Sequence, residues 1–275
     1  SPARAPAGVI TGSSFTPLQD LTGTITPRDL MFERHHSGIP AIDPDRYKLI
    51  VHGMAGRPMT FTLDDLRRLP SVSRVHFLEC SGNGRAAYRS PKPEMTPQNV
   101  DGLTSNGEWT GVPLSVLLRQ VDARDRARWI YAEGGDSNKL SRSIPIEKAM
   151  DDAMIAYAFN GEPLRPSNGY PARLFLPGYE GNTCVKWLRR LELVDQPNMT
   201  REETSKYTDP LPGGTARQFS LVMDVKSLIT SPAPATPVER GWMEISGLAW
   251  SGRGRVGRGD VRKGGGRTRA AARPR

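Results

Sequence analysis

Seven consecutive residues, Glu79-Cys80-Ser81-Gly82-Asn83-Gly84-Arg85, carry the strongest chemical signal in the chain. A cysteine thiolate is a soft donor, and no bulky side chain follows it until Arg85, so the backbone can turn sharply and crowd whatever lies beside the sulfur. Open backbone N–H groups and a guanidinium behind a thiolate suit a soft metal or an anionic cofactor. The plainer alternative is a packed thiol beside an ordinary turn, the commonest fate of a lone cysteine. Rival chemistries lack their residues. The four histidines (35, 36, 52 and 76) form no His-Glu-x-x-His, and neither Cys-x-x-Cys nor Cys-x-x-Cys-His occurs, which disfavours zinc and covalently attached haem. No Gly-x-Ser-x-Gly is present to suggest a serine hydrolase.

The elements that must hold Cys80 are short. Arg74-Val75-His76-Phe77-Leu78 alternates as a strand that ends on the cysteine. Tyr47–His52, Arg128–Ala132, Ile155–Phe159, Ala172–Leu176 and Val185–Val194 read as further strands. Thr62 is placed to cap a helix that stops before Pro70, with Asp64 and Asp65 in its first turn. A second helix is expected from Gly111-Val112-Pro113 through Val121, and a third over Ile144–Met150. Residues 90–108 read as a long, proline-containing loop beside the cysteine. Short strands and helices without regular βαβ repetition predict an α+β fold. Residues 1–25, rich in Pro, Ala, Gly, Ser and Thr, read as a loose arm, and 26–210 as the catalytic domain. Residues 211–237 read as a polar linker. Trp242–Trp250 alternates like the first strand of a β-sandwich, an Ig-like second domain over 238–275 that stops short and ends in a basic tail.

Composition adds limits. Of 275 residues, 37 % are hydrophobic, enough for a globular core, and 28 Gly with 24 Pro favour turns and short strands over a helical bundle. No run of eighteen apolar residues exists to span a membrane. The chain starts at Ser1 without a charged-then-apolar leader and reads as a mature or trimmed product. The formal net charge of +9 is concentrated at one end. Residues 251–275 hold eight arginines and one lysine against one aspartate, which leaves +1 for the other 250 residues. That tail has no aromatic residue to stack bases, so a dedicated nucleic-acid role is disfavoured.

Six ordered blocks resemble one family. They are Phe32-Glu33-Arg34-His35-His36, Ile42–Leu49, Glu133–Ser137, Asn168–Arg173, Val185–Leu188 and Gly247–Arg255. Together with the Cys80 segment they are similar to the sulfite oxidase family of molybdenum enzymes, over about residues 25–268. Within it the wording is most similar to the molybdenum subunits of bacterial sulfane dehydrogenases, with plain sulfite dehydrogenases next.

The resemblance implies a sulfite-oxidase-type molybdopterin-binding domain followed by a truncated β-sandwich, with Cys80 as the protein ligand to molybdenum. It implies molybdopterin contacts from Phe32, Arg34, His35, His36, Asp136, Asn168, Arg173, Cys184, Val185 and Lys186. It further implies an anion-binding substrate site of Arg34, Arg85 and Arg255 with Tyr207 beside the reacting group, and Trp109 as a wall. Three positions depart from the family pattern: Asn168 where many members have His, His35 where many have Asn, and Cys184 in place of another His. The expected reaction is oxygen transfer to carrier-bound sulfane sulfur or, alternatively, to free sulfite. Electrons would pass to a separate c-type cytochrome subunit, because no haem motif lies in this chain. A sulfur-carrier protein would be the substrate partner and the periplasm the compartment. The shortened C-terminus raises a catalytically impaired protein as a further alternative, and it predicts loose packing of 256–275, Trp242 and Trp250 more exposed than in a complete domain, and weakened dimerisation.

Overall fold

Alternation of apolar and polar side chains makes neighbours of segments far apart in the sequence. In Leu49–Gly53, Leu49 and Val51 are completely buried while Ile50 is exposed; in Leu188–Val194, Leu191 and Leu193 are buried. The two strands pair in parallel, Leu191 opposite Val51, so their apolar faces coincide. Trp129–Gly134 adds antiparallel on the other side of Leu188–Val194, with Ser141–Pro145 beyond it, and Met59–Phe61 closes the opposite edge. This gives a mixed five-stranded sheet. The computed structural model from which these features are read describes residue 8 and residues 10–234, 236–263 and 268–273.

A second five-stranded sheet is antiparallel throughout. Val72–Glu79 pairs with Thr104–Pro113, which pairs with Met154–Phe159; the short strands Glu162–Pro163 and Arg173–Phe175 share the far side of Met154–Phe159. Trp109 stacks on Phe175 with centroids 4.3 Å apart and meets the edge of Phe159 at 4.8 Å. It is completely buried, and its Nε1 donates to the His76 carbonyl at 3.1 Å. Trp109 is therefore a core residue rather than the wall expected of it. Helix Leu63–Arg68 starts as the sequence predicts, with Thr62 and Asp65 forming a reciprocal capping box. Leu114–Gln120 turns Leu114, Leu117 and Leu118 inward at helical spacing.

Four expectations are corrected. Residues 90–108 are not one long loop: helix Pro97–Asp101 and a strand from Thr104 occupy most of the segment, with Thr96 capping the helix. The arm of residues 1–25 is anchored within its described part. Gly12–Ser14 pairs with Glu33–His35, and buried Thr16 hydrogen-bonds Ser105 at 2.7 Å; small side chains let this segment lie flat on its partner strand. The 211–237 segment is more than a linker, because Lys226–Ser231 pairs antiparallel with Ser246–Trp250. Its Leu228 and Ile229 supply the apolar content that the surrounding prolines obscured. The strand expected over Trp242–Trp250 begins only at Ser246. Asp260–Lys263 and Thr268–Ala271 form a further two-stranded sheet, and residues 264–267 and 274–275 of the basic tail lie outside the described residues. Among the described residues no helix is long and apolar enough to cross a membrane.

Candidate functional site

Cys80 follows directly on strand Val72–Glu79, as its neighbours predict. The turn after it is fixed by the backbone: Cys80 N–H donates to Leu103 O at 3.0 Å, and Asn83 N–H returns to Cys80 O at 2.9 Å. The loop carrying Gly181 closes against it, with Gly181 N–H donating to Glu79 O at 2.7 Å. A Cβ on Gly181 would stand 2.6 Å from that oxygen, so only glycine allows the approach. Burial pushes the Cys80 thiol up, opposed by the Gly82 N–H and by the charges of Arg34 and Arg85. Such a thiol stays protonated and inert until a metal displaces its proton.

Cys80 lines a half-open cleft. Its other walls come from three segments brought together by the two sheets. Phe32, Arg34, His35 and His36 arrive on and beside the short strand at Glu33–His35. Asn168 and Arg173 come from the turn and strand that follow Pro166, and Cys184, Val185 and Lys186 from the approach to Leu188–Val194. Trp187, with φ at +51° and Nε1 bonded to Pro166 O at 2.8 Å, turns the chain between that approach and the strand. Asp136 and Tyr207 complete the set. Twelve residues singled out from the sequence thus share one cavity: Phe32, Arg34, His35, His36, Cys80, Asp136, Asn168, Arg173, Cys184, Val185, Lys186 and Tyr207.

Two do not join it. Arg85 is exposed and lines a neighbouring hollow with Gly82 and Arg89, although its charge still reaches Cys80 and His36. Arg255 is exposed and outside the cavity; it lies beyond strand Ser246–Trp250, on a segment with no regular structure. Arg142, Asn182 and Ser167 were missed. Arg142 sits in a Ser-Arg-Ser run that resembles a solvated strand, yet it is buried. It pairs with Glu203 at 3.6 Å, donates to Asn182 and lies 5.4 Å over the Tyr207 ring. The Gly-Asn pair at 181–182 was the one available signal for Asn182.

Charge and hydrogen bonding in the cavity are uneven. Arg173 is buried, donates to Asn168 O at 2.9 Å and Cys184 O at 2.7 Å, and is pushed down to about 10 by desolvation. Lys186 donates to Arg34 O and Ser167 O, both at 2.8 Å; burial first, then Arg173, lowers it to about 7. Arg34 donates through Nη2 to His36 Nδ1 at 3.2 Å. A guanidinium can only donate, so His36 Nδ1 accepts and its Nε2 holds the proton, facing the Tyr207 oxygen at 3.5 Å. Desolvation and Arg34 lower His36 to about 4, and burial raises Tyr207 to about 12. Both are neutral near pH 7, and the Tyr207 hydroxyl proton is free to point into the cavity.

Three buried polar atoms here have no hydrogen-bond partner among the described residues: His35 Nδ1, Asn168 Oδ1 and Arg173 Nε. Orphaned groups at this depth are costly unless a bound group satisfies them. They offer both donors and acceptors, as a pterin ring requires. Buried Arg173 and half-buried Lys186 offer positive charge for a phosphate, and Cys80 offers sulfur for a soft metal. The residues present fit a molybdopterin cofactor, including at the substituted positions Asn168 and His35. Cys184 is a packed thiol that accepts from Leu176 N–H at 3.3 Å, and burial raises it. No group of three or more His, Cys, Asp or Glu suited to a metal occurs among the described residues.

Comparison with known proteins agrees with this chemistry. A profile described as "Oxidoreductase molybdopterin binding domain" matches residues 36–202, and one described as "Mo-co oxidoreductase dimerisation domain" matches 217–274. The chain is 34% identical over 262 residues to mitochondrial sulfite oxidase of Rattus norvegicus, covering 89% of this chain and 48% of the relative. It is 35% identical over 196 residues to nitrate reductase [NADH] 2 of Phaseolus vulgaris, covering 66% and 22%. It spans about half the length of the sulfite oxidases it matches. Among solved structures, the sulfane dehydrogenase SoxCD from Paracoccus pantotrophus aligns with a TM-score of 0.91 and 44% identity, over 98% of this chain and 71% of that one.

Proposed function

The chain belongs to the molybdopterin-binding oxidoreductases of the sulfite oxidase family, and from that premise we propose that it oxidises sulfane sulfur held on a carrier protein. The observation that carries this reading is the single cavity that joins Cys80 to buried Arg173, half-buried Lys186, Arg34 and three orphaned polar atoms. Mo-molybdopterin, when bound, supplies a two-electron centre for oxygen-atom transfer to sulfur. The protein's own residues do the rest. Cys80, once deprotonated, would hold the metal; Arg173, Lys186, Asn168 and His35 would bind the phosphate and the pterin edges, with Phe32, Asp136, Cys184 and Val185 shaping their surroundings.

On the substrate side Arg34 attracts an anionic sulfur group, and Arg85 adds charge from the adjoining hollow. Neutral His36 holds Tyr207 so that its hydroxyl can donate to an oxygen that gains negative charge. Arg142 fixes the Tyr207 ring from behind. The SoxCD likeness at 44% identity favours sulfane sulfur. Free sulfite is the second reading, favoured by the 34% identity to a sulfite oxidase. Electrons leave to a c-type cytochrome subunit, and the compartment is the periplasm. The test has two parts. Metal and pterin assay of the purified protein should find about one molybdenum per chain, as one cysteine-ligated site requires. Steady-state rates with carrier-bound persulfide and with sulfite, using a cytochrome acceptor, should favour the carrier. Efficient turnover of sulfite alone would install the second reading, and a protein that takes up no molybdenum would overturn both.

A further inference from the structure

Glu79, the residue directly before Cys80, is a completely buried carboxylate with an unusual set of partners. Its Oε1 accepts from Asn83 Nδ2 at 3.0 Å and pairs with the ammonium of Lys226; its Oε2 accepts from Trp250 Nε1 at 2.7 Å. Lys226 and Trp250 face each other as one cross-strand pair of the C-terminal two-stranded sheet. Asn83 is bound on the other side to the cysteine turn: its backbone N–H reaches Cys80 O, its Nδ2 reaches Thr104 Oγ1 at 2.7 Å, and its Oδ1 accepts Leu103 N–H at 3.0 Å. Leu103 O in turn accepts the Cys80 N–H. One charge thus sits between the C-terminal strands and the loop that presents the sulfur. Asp101, raised by burial and in the field of both Lys226 and Glu79, is the other acid facing this group.

Fold stability does not call for a charge at this place. A buried ion pair gains little over a well-packed apolar pair, yet removing one partner is costly because the other is left unpaired. We propose that Glu79 is a positioning residue: gripped by Lys226 and Trp250, it fixes the Cys80 turn, so that the sulfur is correctly placed only when Lys226–Ser231 and Ser246–Trp250 are docked. This rests on Cys80 being the metal ligand. The same contact explains why Trp250 is half-buried, while Trp242 outside the strand is fully exposed.

The test compares Lys226→Met, Glu79→Gln and the double variant in the full chain. It reads amide hydrogen exchange over residues 79–85, molybdenum content and the thiolate-to-molybdenum absorption band. Lys226→Met should speed exchange at Cys80–Arg85 by about tenfold and weaken or shift the band, while exchange in Leu49–Gly53 stays unchanged. The double variant removes both charges and should return exchange to within about threefold of the parent. Trp250→Phe, a milder change, should raise exchange by about threefold at the same residues. Unchanged exchange and absorption in Lys226→Met would overturn the proposal. So would a double variant as impaired as the single one, or an equal loosening of Leu49–Gly53. A parent protein without molybdenum would overturn the proposed function instead, and the exchange measurements would still decide the role of Glu79.

Discussion

Across the two five-stranded sheets Leu49, Val51, Trp109, Ile130, Ile144, Phe175 and Leu191 have essentially no exposed surface. In the two-stranded sheet of Lys226–Ser231 and Ser246–Trp250, Thr230 alone is buried, and Ile229 is about half exposed at 49 %. Each sheet of the first region carries an apolar face and covers it. The second is a ribbon, and two strands cannot bury their own faces. Its place on the molecule is set by a few directed contacts: the grip on Glu79, Glu180 N–H to Leu221 O at 2.7 Å, and Met223 N–H to Gly178 O at 2.9 Å. The cavity is therefore built by burial, and its link to the C-terminal strands by hydrogen bonds and charge.

That contrast can be broken most severely at the cavity. Cys80→Ala should leave a folded protein whose molybdenum content and turnover fall by more than the roughly 100-fold typical of losing a group that merely orients a ligand. Metal analysis with steady-state kinetics measures it, and full sulfur-oxidising activity in this variant would remove Cys80 from its role. Trp109→Ala tests the burial side and should cost about 3–5 kcal/mol in chemical denaturation; a cost near zero would show that the core does not depend on the Trp109–Phe175 stack.

Lys186→Met sharpens the comparison through pH. Burial lowers Lys186 from 10.5 to about 7 in the fold, so between those values the unfolded chain binds more protons than the folded one. The penalty of burying the charge is fully present below about pH 7 and shrinks as pH rises towards 10.5. Melting temperatures of the cofactor-free protein should rise over that window, and Lys186→Met should lose that part of the slope. The same variant should retain about tenfold less cofactor, since a cavity-lining cation for the phosphate is gone. Smallest of all, Trp242→Ser should change stability by less than about 0.5 kcal/mol, as expected of an exposed position. A larger and concentration-dependent loss would show that this surface is covered in solution.

Much of the cavity was legible because its residues lie in compact, ordered blocks. Cys80 followed a clear alternating strand, and Thr62-Leu63-Asp64-Asp65 announced its helix through capping chemistry that works locally. What stayed hidden depends on partners distant in sequence. Arg142, in a Ser-Arg-Ser run, is buried only because Glu203 and Asn182 come to meet it from 40 or more residues away. Glu79 was visible as part of the cysteine segment, but its partner Trp250 lies 171 residues on. Pro97 and the glycines near it suggested a loop, whereas Thr96 caps a helix there and Thr104–Pro113 is locked between two strands. Proline density in 211–237 likewise concealed Lys226–Ser231, whose apolar pair is too short to give a period.

Where Gly178 meets Gly252, neither residue has a side chain to give way. Gly178 holds φ at +75°, and a Cβ on it would lie 2.3 Å from Gly252 O; a Cβ on Gly252 would lie 2.3 Å from Gly178 O. The seam is thus a main-chain contact with a fixed thickness. For anyone grafting the C-terminal strands of a relative onto this cavity, that thickness is the dimension to match. A donor segment with alanine in place of Gly252 would act as a spacer one methyl wide, lifting Trp250 from Glu79 while every strand stayed intact.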